Sequence, residues 1–569
     1  MPGRAAYRPA RGTSGQQHRS GIMAPTSPRQ RVRIIAGANA THQVGFPATR
    51  ACLRGSVQRW GYRVRVRTPN RPHVRERTLV GRVLLTVLST AATLVVVIPS
   101  AVASSCLFDK PTATATVDVG NAETASIARS GDAIALNGTP CGTATVSTTD
   151  SIVVNGSGTP AAVVIDLAGG PFAPGLTSES GGDAEIEFTI NLPTGAGVLR
   201  ISGSSSADAI TVGAGGINLN ATEATGDADV TIVGSAPIEI SGLAGADALS
   251  IAGGSGTGAP AVANLLGGDD DDQLFDALGG STLDGGAGSD TADYTAAAGA
   301  LTANLGTGVA SLESGTDQLA LIENLTGSKK ADTLAGDGAA NILRGGDGDD
   351  LLSGGGDDDT LDGGAGIDLV DFTGASGAVR VNLPGRTATG DGNDILADIE
   401  NAIGSTFDDE MFGDDAANTL SGGDGNDSID GGGGDDTLDG GVGTDLVDFG
   451  QSGTGVTVDL AKGTATGDGD DALSGFEAVS GTAKTDTIQG NDQGNLLIGG
   501  SGADTISGRV GNDQIVAGNG RDLLFGGKGQ DNLFGGPAKD QLDGGKGNDF
   551  CRGGPDPDSF VFCEAIQLN

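Results

Sequence analysis

The sequence predicts an all-β solenoid of stacked parallel coils, and three observations carry that reading. A nine-residue unit, Gly-Gly-x-Gly-x-Asp-x-U-x with U a large apolar residue, runs unbroken from Gly481 to Val561, and it recurs in strict register from Gly327 to Asp371 and from Gly404 to Asp448. The apolar position never slips: it is Leu334, Leu343, Leu352, Leu361 and Val370 in one block, then Met411, Leu420, Ile429, Leu438 and Val447 in the next. Residues 104–257 are rich in Thr, Val and Ile, alternate in short runs such as Glu185 to Leu192, and show hardly any helical pattern. A flexible Gly/Asp linker is the competing reading, but linkers do not hold aliphatic residues in a fixed phase over many units.

One unit shows the physical logic. In Gly345 to Ser353 (GGDGDDLLS) the glycines reach backbone conformations closed to other residues, so six residues can make a tight loop. Leu351, Leu352 and Ser353 are then enough for a short strand, whose middle side chain points opposite to its neighbours. One apolar side chain per nine residues describes a thin core. The sixth position is almost always Asp. Carboxylates and loop carbonyls are hard oxygen donors, which suit Ca²⁺ better than softer metals.

The unit resembles the nonapeptide of the repeats-in-toxin (RTX), or hemolysin-type, calcium-binding family, over about residues 258 to 562. The resemblance implies a β-roll with two nonapeptides per turn, so that residues eighteen apart stack. It also implies that each ion sits between two stacked turns, held by loop carbonyls and two sixth-position side chains. Carried onto this chain, the ligands are Asp272 and Asp290 in a first short block; Asp332, Asn341, Asp350, Asp359 and Asp368; and Asp409, Asn418, Asp427, Asp436 and Asp445. The longest block adds Asp486, Asn495, Asp504, Asp513, Asp522, Asp531, Asp540, Asp549 and Asp558. Pairs of these eighteen apart give 14 candidate sites, seven of them in residues 481–561. The three Asn are neutral, so sites that use them are expected to bind more weakly.

In chain order, residues 1–103 form a basic leader. They hold 17 of the 33 Lys and Arg but one of the 73 acids, Glu76, which leaves residues 104–569 with 16 bases against 72 acids. The run Val83 to Ile98 is apolar, follows Arg75, Arg77 and Arg82, and precedes Ala101-Val102-Ala103, the pattern of a secretory signal cleaved after Ala103. A single-span anchor is the alternative. So long a basic lead is unusual for a signal peptide, and translation is expected to start near residues 74–80. Residues 104–257 are read as an irregular parallel β-helix leading into the roll, with degenerate units already visible at Gly203 to Thr211 and Gly242 to Ser250; a β-sandwich is the alternative.

Residues 258–480 carry a super-repeat: Leu321-Ile322-Glu323-Asn324 returns as Asp398-Ile399-Glu400-Asn401, and Phe476-Glu477-Ala478 follows at the same 77-residue step. Each module closes on Asp-aromatic (Asp293-Tyr294, Asp371-Phe372, Asp448-Phe449) before a linker expected to form wider coils. In the first block Ser281 breaks the pattern. Residues 481–569 are the continuous roll with a terminal cap. Cys106 with Cys141, and Cys551 with Cys563, read as two disulfides of a secreted chain.

The chemistry is limited by what the chain lacks. All three histidines (His18, His42 and His73) precede residue 104, which removes His-dependent zinc and Ser-His-Asp catalysis from the mature chain. A net charge near −56 over residues 104–569 opposes contact with nucleic acid. No apolar segment long enough to span a membrane follows the signal. The expectation is a secreted, non-enzymatic, calcium-binding protein that is extracellular or at the cell surface, with cell-surface or extracellular polysaccharide as the partner class. The alternatives are a polysaccharide-acting enzyme on a solenoid scaffold and a calcium-dependent cytolysin.

Overall fold

The computed structural model describes residues 104–567, apart from 157–161, 173–185, 193–196, 214–215, 220–228, 234–236 and 252–262, together with four short strands upstream. Those four form two antiparallel pairs, Val32–Ala36 with Ala40–Val44 and Gly61–Arg63 with Thr78–Val80. The apolar run at 83–98 and the cleavage expected after Ala103 lie outside the described residues. Residues 101–569 form one compact unit. Its regular structure is entirely β among the described residues, in two long and mostly parallel sheets.

The nonapeptide explains the coil. Thr333–Ala335, Leu351–Ser353 and Leu369–Asp371 stack in one sheet with Leu334, Leu352 and Val370 in register. The intervening strands Ile342–Asp347 and Thr360–Ala365 stack in the other, Leu343 on Leu361. Each three-residue strand buries only its middle residue, the six-residue strands bury their aliphatic and the glycine two residues on, and all of these aliphatics are fully buried. The loop between strands turns at the second glycine. Gly346 has φ +113°, and a Cβ there would strike the Ser328 carbonyl of the coil below. Stacking at eighteen residues thus favours glycine at that point, although Arg509 takes the same place with φ +74°.

The linkers keep the solenoid's register by turning back rather than by widening a coil. In the second linker, Arg380–Asn382, Thr387–Thr389 and Asn393–Ala397 form an antiparallel meander. Its last strand pairs in parallel with Thr360–Ala365 below, and its first with Glu410–Phe412 above. The same arrangement occurs at Thr302–Ala320 and Thr457–Ser474. Tyr294, Phe372 and Phe449 are buried beside these meanders and enlarge the core there.

Residues 104–257 form parallel coils too: Ser151–Gly156 lies between Thr114–Val119 and Glu187–Asn191, and Ala162–Asp166 lies between Thr124–Ser130 and Val198–Ser202. Parallel pairing excludes the β-sandwich. Ser105–Asp109 closes the first coil as an antiparallel strand, and the Cys106–Cys141 disulfide joins that end.

At the other end Cys551 pairs with Cys563. Of the three phenylalanines near this end, Phe550 and Phe560 are half-buried while Phe562 is 68 % exposed. Closure therefore rests on the disulfide and the final strands more than on an aromatic cover. Opening this bond by Cys563→Ser is expected to remove about 2–4 kcal/mol in the chain-entropy view. It should raise the calcium concentration at which the terminal coils fold, measured by circular dichroism, whereas Phe562→Ser should leave that midpoint unmoved.

Candidate calcium ladder

The sixth-position side chains do not project into solvent. Each is buried under the coil above and forms one rung of a hydrogen-bonded ladder. Asp332 N–H donates to Asp350 Oδ1 at 2.7 Å, Asp350 N–H donates to Asp368 Oδ1 at 2.7 Å, and the long block continues Asp486, Asp504, Asp522, Asp540 and Asp558 in the same way. The opposite edge of that block runs Asn495, Asp513, Asp531 and Asp549. Every residue expected from the sequence takes its place on one of these ladders; all are buried except Asp558, which is half-buried.

One oxygen of each interior carboxylate is thus committed to the coil below. In most of them the other has no partner. Oδ2 of Asp272, Asp290, Asp350, Asp368, Asp427 and Asp445 is buried without a hydrogen bond, as are those of Asp504, Asp513, Asp522, Asp531, Asp540 and Asp549. A buried unpaired carboxylate oxygen is costly, so a row of them requires an explanation. The first glycine of the unit shows what surrounds each one. A Cβ built on Gly526 would lie 2.5 Å from the Gly544 carbonyl oxygen and 2.6 Å from Asp531 Oδ2. Carbonyl and carboxylate oxygens therefore converge at a point that the glycine leaves open. Among the described residues no three His, Cys, Asp or Glu side chains gather as a metal group; the donors here are carboxylate oxygens with backbone carbonyls. That set fits a hard cation such as Ca²⁺.

Burial also changes the acidity of these groups. Asp350, Asp427, Asp504, Asp513 and Asp540 are pushed up to about 6 from 3.8, chiefly by desolvation, partly offset by the N–H each accepts and reinforced by neighbouring carboxylates. Asp359 and Asp436 rise to about 7 for the same leading reason.

The first rungs of each block are built differently. Asp332 Oδ2 accepts from Ser328 N–H, while its Oδ1 accepts from Ser328 Oγ–H and Leu301 N–H. Ser405 with Asp409, and Thr482 with Asp486, repeat this. Asn341 is also satisfied within the protein: Oδ1 accepts from Asp337 N–H and Nδ2 donates to the Glu323 carbonyl. Asn418 and Asn495 donate to the Glu400 and Glu477 carbonyls likewise. A carboxylate there would have no proton to donate. The Asn positions are thus hydrogen-bonded starts of a ladder, an arrangement that neutral charge alone does not reveal.

Sequence reasoning missed the other end. Glu323, Glu400 and Glu477 accept from Asp290, Asp368 and Asp445 N–H, so each closes a ladder with the longer side chain that the meander's wider step requires. Glu564 does the same for Asp549 at the C-terminus. Asp394 and Asp471 extend the opposite edge by accepting from Asp359 and Asp436 N–H. Asp247 was also overlooked: it accepts from Asp208 N–H, its own N–H donates to Asp272, its Oδ2 is unpartnered, and burial pushes it up to about 7. The Gly-to-Asp spacing of Gly242 to Asp247, the same as in Gly345 to Asp350, was the available signal.

The family model described as RTX calcium-binding nonapeptide repeat (4 copies) matches residues 321–349, 335–370, 402–447, 480–515 and 516–551. These blocks are RTX calcium-binding nonapeptide repeats. No curated protein matches the chain.

Two expectations follow. Asp350→Asn keeps an acceptor for Asp332 N–H but removes charge from an open cradle, so it should lower bound calcium by elemental analysis. Asp332→Asn, where both oxygens are already satisfied, should change the ion count less. The second concerns pH. Without calcium the folded carboxylates hold protons more tightly than the unfolded chain, whose value is near 3.8. Their contribution to metal-free stability is therefore lost as pH rises through about 6 to 7. In chelator, strand signal should be greater at pH 5 than at pH 7.5. With calcium the direction reverses, because protons compete for the same oxygens, and the calcium midpoint should climb as pH falls below about 6.

Proposed function

We propose that this chain is a secreted calcium-binding protein whose solenoid folds when it meets Ca²⁺ outside the cell, and whose role there is structural or surface-interacting rather than catalytic. The observation that carries the reading is the row of buried Oδ2 atoms without partners, repeated coil after coil in register. Multiple ions then occupy each chain, half of the candidate sites lying in residues 481–561. Secretion is supported by the apolar run before Ala103 and by the two disulfides. No helix among the described residues is long and apolar enough to cross a membrane.

The partner class we favour is polysaccharide at a cell surface or in the extracellular matrix. A broad groove at the second meander is lined by Arg380, Asn382, Phe412, Asp430, Gln451 and Asp468, with the Arg380 guanidinium 4.7 Å above the Phe412 ring. Mixed hydrogen-bonding side chains around an aromatic suit a sugar polymer better than a hydrophobic ligand.

Calcium should drive folding. Residues 104–569 hold few bases against many acids around a core of one aliphatic per nine residues. Chelated protein is expected to show little strand signal by circular dichroism. Ca²⁺ at about 10⁻⁴–10⁻³ M should restore it, and Mg²⁺ should substitute poorly because it demands a tighter octahedral shell. A spectrum unchanged between chelator and excess Ca²⁺ would overturn the reading.

A further inference from the structure

The first module departs from the other two at three positions, and the departures compensate one another. Modules two and three place Gly354 and Gly431 at the first position of the unit before the meander, and Asp359 and Asp436 at the sixth. Asp394 and Asp471 follow from the meander, and Phe372 and Phe449 fill the core. The first module has Asp276, Ser281, Asp317 and Tyr294 in these places. A Cβ on Gly354 or Gly431 would collide with the Oδ2 of Asp359 or Asp436. A side chain as large as Asp at the first position therefore crowds a carboxylate at the sixth, although the small Ala517 is accommodated beside Asp522. Asp276 is admitted because Ser281 has given up the space.

The outcome is a carboxylate moved across the coil, next to a hydroxyl that the other modules lack. Asp276, Asp317 and Tyr294 are all fully buried. Asp317 Oδ1 accepts from Ser281 N–H at 2.7 Å, and Asp276 Oδ1 accepts from Leu278 N–H at 2.8 Å. The remaining oxygens, Asp276 Oδ2, Asp317 Oδ2 and Tyr294 Oη, have no hydrogen-bond partner. The tyrosine hydroxyl lies close enough to both carboxylates to be coupled to them, most strongly to Asp317, yet no hydrogen bond of good geometry joins it to either. The single phenol proton cannot serve two buried carboxylates, and a cation completes such a group of oxygens.

We propose that Asp276, Asp317 and Tyr294 form a cation site separate from the nonapeptide cradles, taking a hard divalent ion of calcium's size. Two carboxylates balance its charge, the phenol supplies a neutral oxygen, and backbone carbonyls complete the shell. Tyr294 keeps its proton, since burial and the adjacent carboxylates both raise its pKa. The ion is enclosed during folding, because none of the three side chains reaches solvent.

Terbium is a hard cation that can replace calcium and is sensitised at short range by an excited tyrosine. Tyr7, Trp60 and Tyr62 all precede residue 104, so Tyr294 is the one such donor in residues 104–569. The test titrates Tb³⁺ into the full chain, excites tyrosine, and takes as signal the emission lost in Tyr294→Phe. The expected result is a saturable, Tyr294-dependent emission, displaced by Ca²⁺, whose midpoint weakens about tenfold or more in Asp276→Asn and in Asp317→Asn. Asp350→Asn should lower total calcium without changing this signal, which separates the site from the ladder. Tyr294→Phe is the fold-safe variant, because Phe372 and Phe449 occupy the equivalent place. With circular dichroism unchanged, it should bind one calcium fewer per chain at limiting free Ca²⁺. The proposal is overturned if both Asp variants keep the wild-type emission midpoint, which would place the sensitised ion on the neighbouring ladder. It is equally overturned if no Tyr294-dependent emission develops, or if the calcium count of Tyr294→Phe matches the wild type.

Discussion

A buried carboxylate with one oxygen committed and one left over is the constraint on which this fold depends. Oδ1 of each interior rung holds the backbone N–H of the rung below, which sets the stacking register. That bond requires the carboxylate to be withdrawn from water, and withdrawal leaves Oδ2 unpaired. Strand pairing and a single file of aliphatics cannot offset repeated desolvated charge, since one buried aliphatic contributes about 1.5–3 kcal/mol while ordering each backbone residue costs about 1–2 kcal/mol. A cation bound only in the stacked state changes that balance. The glycines serve the same end, because a Cβ at the first position would fill the space where the oxygens converge.

The ends of each ladder confirm how specific the interior is. A ladder begins on a carboxylate whose oxygens are satisfied by Ser or Thr, continues on the opposite edge with an Asn that supplies its own donor, and stops on a Glu that reaches across a longer step. These substitutions place protein hydrogen bonds where a cation would lack a second coil to bind. Three modules and the C-terminus solve the same problem, the last with Glu564.

Much of this was legible because the signal is periodic. The nine-residue phase gives the strands, their inward residue and the direction of each sixth-position side chain. Two disulfides followed from cysteine positions, and parallel coils in residues 104–257 from degenerate units and β-rich composition. What escaped was whatever breaks the period. Asp247 stacks on Asp272 across 25 residues, Asp290 on Glu323 across 33, and Asp359 on Asp394 across 35. A search fixed at eighteen cannot register these. The meanders were likewise read as wider coils, because a reversed strand such as Thr387–Thr389 alternates in the same way as a forward one. Direction is decided by which strands pair, which side-chain alternation does not encode.

The meanders also distinguish the modules from the terminal roll in how order can spread. Within residues 481–561 each coil rests on the coil eighteen residues earlier, so every added turn closes a short loop and completes new carboxylate pairs at once. At a meander the chain must instead join strands that skip the local repeat: Thr302–Asn304 waits for Thr333–Ala335, and Gln318–Ala320 pairs back to Thr282–Asp284. Closure entropy rises only slowly with loop length, so the greater cost is that three antiparallel strands are ordered before a further interior rung forms. Quasi-one-dimensional repeats propagate from wherever order is cheapest. By this argument order is expected to start in the uninterrupted block, capped at its far end by a disulfide and Glu564, and to pass back through Glu477 into the modules.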